Sequence, residues 1–199
     1  MEYGVQLPSD QSLRTKPEAL RVLFVGRGSK EKRIPLAAKI ASKTQEVDQS
    51  IRFRFAGPVA NFIPAFYQKN CDLMGTIGDK EQLNLVYRDH QALLLTSQTE
   101  SGPLVVLEAM SNGLVILATP VGIVPGLRDV GMQGLVFSTI NDEDQIVNEA
   151  VQFLLHLREQ PDLLQKMQNQ NMRLVQEHFS VNLFQQRYKS VLLQTRNSR

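Results

Sequence analysis

The sequence predicts an α/β protein built on a doubly wound parallel sheet, with further helices towards its C-terminal end. Short apolar runs alternate with segments of helical periodicity. These runs are apolar on both faces, which is typical of parallel strands covered by helices on either side. From residue 142 onward the pattern is helical only. With 199 residues, 42% of them hydrophobic, the chain is long enough for one domain with a substantial core.

The elements follow in order along the chain. The predicted strands are 21–26, 51–57, 72–77, 92–97, 114–119 and 135–138. Helical periodicity covers 35–44, 63–69, 80–89 and 104–112 between them, and then 142–159, 161–179 and 180–194. Favourable helix starts are found at Asp142, Pro161 with Asp162, and Ser180. Residues 1–20 read as a polar linker rather than a first strand.

The composition argues against several classes of function. A net charge of +2 and sparse aromatic residues do not indicate a nucleic-acid partner. The single cysteine, Cys71, excludes an internal disulfide framework and fits a reducing compartment. No segment approaches the ~18 apolar residues of a membrane span, and the N-terminus lacks a signal-peptide pattern. We therefore expect a cytoplasmic protein. His90, His156 and His178 lack metal-ligand spacing, so we expect no metal site.

The loop after the first strand carries two glycines and two cations. In such a sheet, ligands bind beyond the carboxyl ends of the strands. Gly26 and Gly28 would let the backbone approach a ligand, and the following helix N-terminus favours an anion. Arg27 and Lys32 add cationic donors there. The spacing matches neither GxGxxG nor GxxxxGK[ST], so a tight turn before a solvated basic helix start remains the alternative interpretation.

A second loop leads into an apolar helix that carries two glutamates. In TESGPLVVLEAM (99–110), Pro103 suits the first turn of a helix that ends before Gly113. Glu100 precedes this helix and Glu108 lies about a turn and a half inside it, so both carboxylates can face one ligand site. A buried carboxylate needs partners. The two hydroxyls of a ribose would satisfy Glu108, and a structural pair with a nearby Arg or Lys is the alternative.

Together these motifs resemble those of glycosyltransferase family 4, whose members are retaining, nucleotide-sugar-dependent enzymes of the two-Rossmann-domain (GT-B) type. FVGRGSKEKR (24–33) is similar to the family's VGRLSPEKG. ESGPLVVLEAMSNG (100–113) is similar to its EGFGLPLLEAMA, with the same spacing between the glutamates. ILATPVGIVPGLRDVGMQGLVF (116–137) and EHFSVNLFQQRYKSVL (177–192) resemble VVATDVGGIPEVVGDGENGLLV and FSWERVAERYLELY. The resemblance implies the C-terminal, donor-binding domain, which is a Rossmann-like half of a GT-B fold.

The resemblance also implies a role for each matching residue. Arg27 and Lys32 match the cationic pair that holds the donor diphosphate, and Glu108 matches the glutamate that binds the ribose diol. Glu100 matches the glutamate that hydrogen-bonds hydroxyls of the donor sugar, and the backbone at Ile77 would recognise the base. The further implied donor contacts are Gly26, Ser101, Gly102, Leu104 and Val105. The implied catalytic residues are Glu100, Arg27 and Lys32.

This sequence departs from the family pattern in three places. Gly102-Pro103 stands where the family has Phe-Gly. In the VGGIPE segment, Ile123 replaces the second glycine and Gly126 replaces the glutamate. Arg33 replaces the glycine that usually follows the lysine. These changes remove no implied phosphate or ribose contact, but they leave the identity of the sugar open.

A full enzyme of this family has a further, N-terminal Rossmann-like domain that binds the acceptor. YGVQLP (3–8) resembles the end of the linker that follows that domain. The resemblance therefore implies a linker over 1–20, a nucleotide-sugar-binding domain over 21–180, and over 181–199 a helix that would cross back to the missing domain. On this interpretation the chain is an excised domain or a truncated protein.

The implied activity is a hexosyltransferase-type transfer, with retention, from a nucleoside-diphosphate sugar to an unknown acceptor. A UDP-sugar is the first expectation for the donor, with no cofactor and no metal. The isolated chain is expected to bind nucleotide and to be inactive, and peripheral membrane association of the full-length enzyme is left open. The alternatives are half of a nucleotide-sugar epimerase and a non-catalytic nucleotide-binding module.

Overall fold

The computed structural model describes residues 4–9, 12–14, 20–102, 104–186 and 189. The strands are β1 (Arg21–Val25), β2 (Arg52–Ala56), β3 (Asp72–Gly75), β4 (Ala92–Leu95), β5 (Val115–Ala118) and β6 (Gly134–Val136). They form one six-stranded sheet in the order β3-β2-β1-β4-β5-β6. Every neighbouring pair is parallel. The predicted doubly wound, Rossmann-like α/β sheet is therefore confirmed.

Helices cover both faces of this sheet. They are α1 (Ile34–Val47), α2 (Lys80–Asp89), α3 (Leu104–Ser111), α4 (Val124–Asp129), α5 (Glu143–Glu159) and α6 (Pro161–His178). One hydrophobic cluster joins α1 and α5 to one face, and a second joins α3 and α4 to the other. Alternate residues of β1 serve the two clusters, with Val22 and Phe24 in the first and Leu23 in the second. This division explains why the strands are apolar on both faces.

Two segments differ from the sequence-based predictions. The predicted helix over 63–69 is a 3₁₀ helix, Ala65–Asn70, which follows Pro64 and buries none of its residues. A short segment in which no residue is fully buried lacks much of the packing that stabilises most α-helices in proteins, so the prediction of α-helical periodicity was wrong here. The structure also contains α4, which the sequence analysis did not predict. It is a short helix with a proline in its first turn.

The described residues before β1 are fastened to the domain. The backbone N–H of Val5 donates to the carbonyl of Phe179 at 2.8 Å, and that of Val181 donates to the carbonyl of Val5 at 3.0 Å. Further along, the guanidinium of Arg14 donates to two carbonyls at 2.6 Å, those of Arg88 and His90. Of the segment read as a linker, Val5 therefore packs on the end of α6 and Arg14 packs on α2.

Some predicted features lie outside the described residues. Pro103, the predicted first residue of the glutamate-bearing helix, is one of them, and α3 is described from Leu104. Residues 181–186 are helical, whereas of the remainder of the predicted last helix only Lys189 is described. Across the described ranges, no helix is long and apolar enough to cross a membrane.

Candidate functional site

The chain reverses its direction of travel across the sheet between β1 and β4. From β1 it proceeds outward to β2 and β3, and from β4 it proceeds the other way to β5 and β6. The loops that leave these two central strands are 26–33 and 96–102. In α/β sheets of this kind, ligands bind in the crevice outside the carboxyl edge at this switch point. The two loops singled out in the sequence are the ones that line this crevice.

Lys32 and Glu100 form an ion pair across the crevice. The Nζ of Lys32 donates to Oε1 of Glu100, and the hydroxyl of Ser97 donates to the same oxygen at 2.7 Å. The side chains of Lys32 and Glu100 are only 22% and 15% exposed. The structure thus brings together two residues that the sequence placed 68 positions apart. Before a ligand arrives, each satisfies the charge of the other.

Two hydrogen bonds to backbone carbonyl oxygens join the loops beside this pair. The hydroxyl of Thr96 donates to the carbonyl of Lys32 at 2.8 Å, and the backbone N–H of Gln98 donates to the carbonyl of Glu31 at 2.7 Å. Thr96 and Ser97 are buried at the end of β4. The sequence analysis missed both hydroxyls, although their position directly after a buried strand could have signalled a role at the carboxyl edge.

Glu108 is half-buried on α3, where its carboxylate meets a phenol from α2. The hydroxyl of Tyr87 donates to Oε2 of Glu108 at 3.1 Å. Burial, together with the negative charge of Glu108, raises the pKa of Tyr87 well above its ordinary value, so the phenol stays protonated as a donor. Within the described part of the chain, no Arg or Lys pairs with Glu108. The described residues therefore do not form the structural ion pair that was the alternative interpretation of Glu108.

Two glycine contacts shape the loop after β1. The N–H of Gly26 donates to the carbonyl of Ala56 at 3.0 Å. A Cβ added at Gly28 would lie 2.1 Å from Cε2 of Phe62 and 2.7 Å from the carbonyl oxygen of Pro58. Residue 28 must therefore be glycine for the loop to keep this close approach to the segment after β2.

The remaining candidate residues lie around the mouth of the crevice. Arg27 is exposed and makes no hydrogen bond or ion pair with a described residue. Ile77 follows β3 and packs half-buried against the second hydrophobic cluster. At the entry to α3, Ser101 and Leu104 are exposed, whereas Gly102 and Val105 are half-buried. The structure therefore joins Lys32 to Glu100 directly, whereas neither Arg27 nor Ile77 makes a polar contact with that pair among the described residues.

The histidines are scattered, and one of them is buried. His90 is fully buried, and its Nδ1 lies 2.6 Å from the carbonyl of Val86, which fits an Nδ1–H donor. Burial lowers the pKa of His90, so the ring is neutral. The residues that the structure describes contain no group of three His, Cys, Asp or Glu side chains that could hold a metal ion.

Comparisons with known proteins point to a single family. A family model described as glycosyl transferases group 1 matches residues 7–173. The chain is 28% identical over 154 residues to the sulfoquinovosyl transferase SQD2 of Arabidopsis thaliana. The aligned part covers 76% of this chain and 29% of that protein. The chain thus spans less than a third of the length of this relative.

Solved structures share the fold at low sequence identity. The pneumococcal O-GlcNAc transferase GtfA, in complex with UDP and GlcNAc, aligns with a TM-score of 0.71 at 20% identity, covering 96% of this chain and 38% of that one. The C-terminal domain of LpcC, a glycosyl transferase group 1 family protein from Francisella tularensis, aligns with a TM-score of 0.66 at 20% identity. This second alignment covers 81% of this chain and 87% of that one. Both structures are similar to this chain over its sheet and helices.

Proposed function

The chain belongs to the glycosyl transferases group 1 family, and from that membership we propose that it is the donor-binding half of a glycosyltransferase that uses a nucleoside-diphosphate sugar. The observation that carries this proposal is the meeting of Lys32 and Glu100 at the crevice between β1 and β4. A cation and a carboxylate at one point can serve two adjacent groups of one ligand, a phosphate and a sugar hydroxyl. In α/β sheets this crevice is where nucleotides bind.

The diphosphate would bind at the loop after β1. Lys32 would turn from Glu100 to the phosphate oxygens, and the exposed Arg27 would approach from the rim of the same loop. The first backbone N–H groups of α3 point along a helix dipole that favours negative charge at that end. We propose that these groups, rather than a divalent ion, supply the positive charge that the donor needs.

The sugar and the ribose would bind to the two carboxylates. Glu100, once released by Lys32, would accept hydrogen bonds from hydroxyls of the donor sugar. Glu108 lies further along α3, half-buried and oriented by Tyr87, where it would accept from the ribose. The base would lie towards the residue after β3, at Ile77. This assignment places phosphate, sugar and ribose along one edge of the sheet.

The proposed reaction moves a glycosyl unit with retention of configuration. The bond between the anomeric carbon and the diphosphate oxygen breaks, and a bond from that carbon to an acceptor oxygen forms on the same face. Negative charge grows on the departing diphosphate oxygen. Lys32 and Arg27 would stabilise this charge, which is where electrostatic catalysis has its largest effect. As the new bond forms, the acceptor hydroxyl gives up its proton to the departing diphosphate oxygen, which is gaining negative charge on the same face.

The acceptor would bind outside the residues described. This chain aligns with 38% of the length of the UDP-bound pneumococcal enzyme, and with 87% of a domain that is itself the C-terminal part of a glycosyltransferase. These proportions support a second domain in the whole enzyme that completes the cleft. On this proposal the 199-residue chain binds nucleotide without transferring sugar.

Isothermal titration with UDP, GDP, ADP and uridine tests the proposal. We expect nucleoside diphosphates to bind the 199-residue chain, with UDP binding most tightly. Uridine should bind much more weakly, because Lys32 and Arg27 would contact only the phosphates. Repeating the UDP titration with EDTA tests the role assigned to side-chain charge. If all three diphosphates bind no better than uridine, the donor-binding proposal is wrong. Binding that disappears with EDTA would refute the metal-free arrangement.

A further inference from the structure

Arg33 adopts a backbone conformation that disfavours arginine. Its φ of 46° and ψ of 51° are left-handed, and among the described residues it is the one non-glycine residue with a positive φ. A side chain with a Cβ is strained in this region, which glycine occupies freely. Strain of this kind persists where the surrounding structure imposes it. The Arg33 side chain makes hydrogen bonds that glycine could not make at this position.

The guanidinium of Arg33 joins three loops at the carboxyl edge of the sheet. Its Nε donates to the carbonyl of Thr96 at 2.7 Å, in the loop after β4. Its Nη1 donates to the carbonyl of Ile140, between β6 and α5. Arg33 itself lies between β1 and α1. Glycine could adopt the same backbone conformation, but it could make neither of these contacts.

Thr96 returns the contact to the residues that carry the cation. Its hydroxyl lies 2.8 Å from the carbonyl of Lys32 and 3.3 Å from that of Arg33. Thr96 is therefore held by the Arg33 side chain and in turn holds the Lys32 backbone. A lysine side chain is a flexible four-carbon stem, so the position of its Nζ depends strongly on where its backbone is anchored.

We propose that Arg33 is a positioning residue for Lys32, fixing the loop so that the ammonium meets Glu100 and, on binding, the donor diphosphate. This inference rests on the proposed function. Arg33 is not itself a phosphate ligand, because Nε and Nη1 are committed to carbonyl oxygens. The Nη2 atom is buried and has no hydrogen-bond partner in the described part of the chain. The guanidinium acts through Thr96 on the anchoring of Lys32.

Two substitutions separate this role from a direct charge contact. Arg33→Gly relieves the left-handed backbone and removes both side-chain bonds, so the variant should fold, which a thermal melt checks. Arg33→Lys keeps the positive charge but cannot make the forked contact to two carbonyls. We expect both variants to lose about tenfold in UDP affinity, the effect of one or two lost hydrogen bonds, while uridine affinity stays within about twofold. Arg52→Ala removes an exposed arginine at the far end of the sheet and serves as the matched control.

A double-variant cycle with Lys32→Gln identifies the residue through which Arg33 acts. If Arg33 works by positioning Lys32, the double variant Arg33→Gly/Lys32→Gln should bind UDP as weakly as Lys32→Gln alone. Additive losses would overturn the inference, as would an Arg33→Lys variant that binds UDP like the unchanged chain. An equal loss for uridine and UDP would show a general loosening of the loop and would also overturn it. An unchanged chain that does not prefer UDP to uridine would instead refute the proposed function.

Discussion

The hydroxyl of Tyr87 donates a 3.1 Å hydrogen bond to Oε2 of Glu108, and this bond links α2 to α3 beside the proposed ribose site. Oε1 of Glu108 accepts no hydrogen bond from a described residue. The two oxygens therefore have different surroundings, because only Oε2 accepts a hydrogen bond from a described side chain. The sequence analysis had both oxygens facing the ribose diol. Tyr87 already donates to one of them, and the ribose assignment of Glu108 stays a prediction.

Replacing Lys32 should separate the two parts of a nucleotide. Lys32→Gln should weaken UDP binding by roughly 1.5–3 kcal/mol, the range for hydrogen bonds to charged groups, because a neutral amide cannot replace an ammonium at a phosphate. Uridine binding should not change. Calorimetric titration measures both affinities. Lys30→Gln is the control, because Lys30 is exposed in the same 3₁₀ helix, Lys30–Lys32. Equal losses in Lys30→Gln and Lys32→Gln would assign the effect to general charge rather than to the ion pair with Glu100.

Neutralising Glu108 should reduce the discrimination between ribose and deoxyribose. In the unchanged chain, removing the 2′-hydroxyl from UDP should weaken binding by roughly 1.5–3 kcal/mol, because a hydroxyl donor to a carboxylate is lost. In Glu108→Gln the same removal should cost less, since a neutral oxygen accepts a weaker bond. Titrations with UDP and 2′-deoxy-UDP complete the cycle.

The same variant also tests a structural role for Glu108. If the carboxylate serves the fold as one member of a buried ion pair, Glu108→Gln should lower the free energy of unfolding by roughly 3–5 kcal/mol. We expect a much smaller change, because the described partner of Glu108 is a neutral phenol that can also donate to an amide oxygen. A large stability loss with an unchanged 2′-deoxy penalty would contradict the ribose assignment.

Tyr87 should make the domain sensitive to alkaline pH. Its pKa in the folded chain is raised by burial and by Glu108, so the folded state retains a proton that the unfolded state loses above its pKa of about 10. The contribution of this proton to stability is complete below that pH and is lost as the pH rises further. Urea unfolding at pH 8 to 11 should show the decline, and Tyr87→Phe should reduce it.

Tyr67→Phe is the matched control for this effect. Tyr67 is half-buried beside the first hydrophobic cluster, and its hydroxyl makes no hydrogen bond with a described residue. At pH 7, Tyr87→Phe should also cost roughly 1.5–3 kcal/mol, because a hydrogen bond to a carboxylate is lost. If Tyr67→Phe and Tyr87→Phe change the alkaline decline equally, the effect does not come from the contact with Glu108.

A methyl group at residue 28 should destabilise the loop after β1. Gly28→Ala places a carbon against the ring of Phe62 and the carbonyl of Pro58, and overpacking of this kind costs about 1–3 kcal/mol. Gly78→Ala is the control, because a Cβ there meets no atom within 4 Å. Chemical unfolding of the two variants measures the difference. A Gly28→Ala variant as stable as Gly78→Ala would mean that the segment around Phe62 yields without cost.

The sheet could be predicted because its signal is local. Val22, Leu23 and Phe24 are apolar in succession, and such runs separated by helical patterns specify a parallel sheet with two covered faces. The segment after Pro64 shows the limit of this signal. Its periodicity fitted an α-helix, but nothing in the sequence revealed that none of its residues would be fully buried.

The site could be predicted only as far as its edge of the sheet. The motifs placed Lys32 and Glu100 in loops after β1 and β4, which the topology brings together. Their direct contact depends on how the two loops cross, and this crossing is set by Thr96 and Arg33 through bonds that span more than sixty residues. Tyr87 was missed for a similar reason. An aromatic residue on an amphipathic helix is interpreted as a core residue, and only the structure shows that its hydroxyl contacts Glu108 on α3.

The ion pair between Lys32 and Glu100 means that the crevice carries its own counterion. On the proposed function, a donor diphosphate would have to displace Glu100 from Lys32, and other anions would meet the same competition. Because both side chains are shielded, dissolved salt screens the attraction between Lys32 and Glu100 only weakly. The attraction of the exposed Arg27 for an anion is screened much more. Rising ionic strength should therefore slow the capture of an anionic ligand at the rim while leaving the closed pair beneath it largely intact.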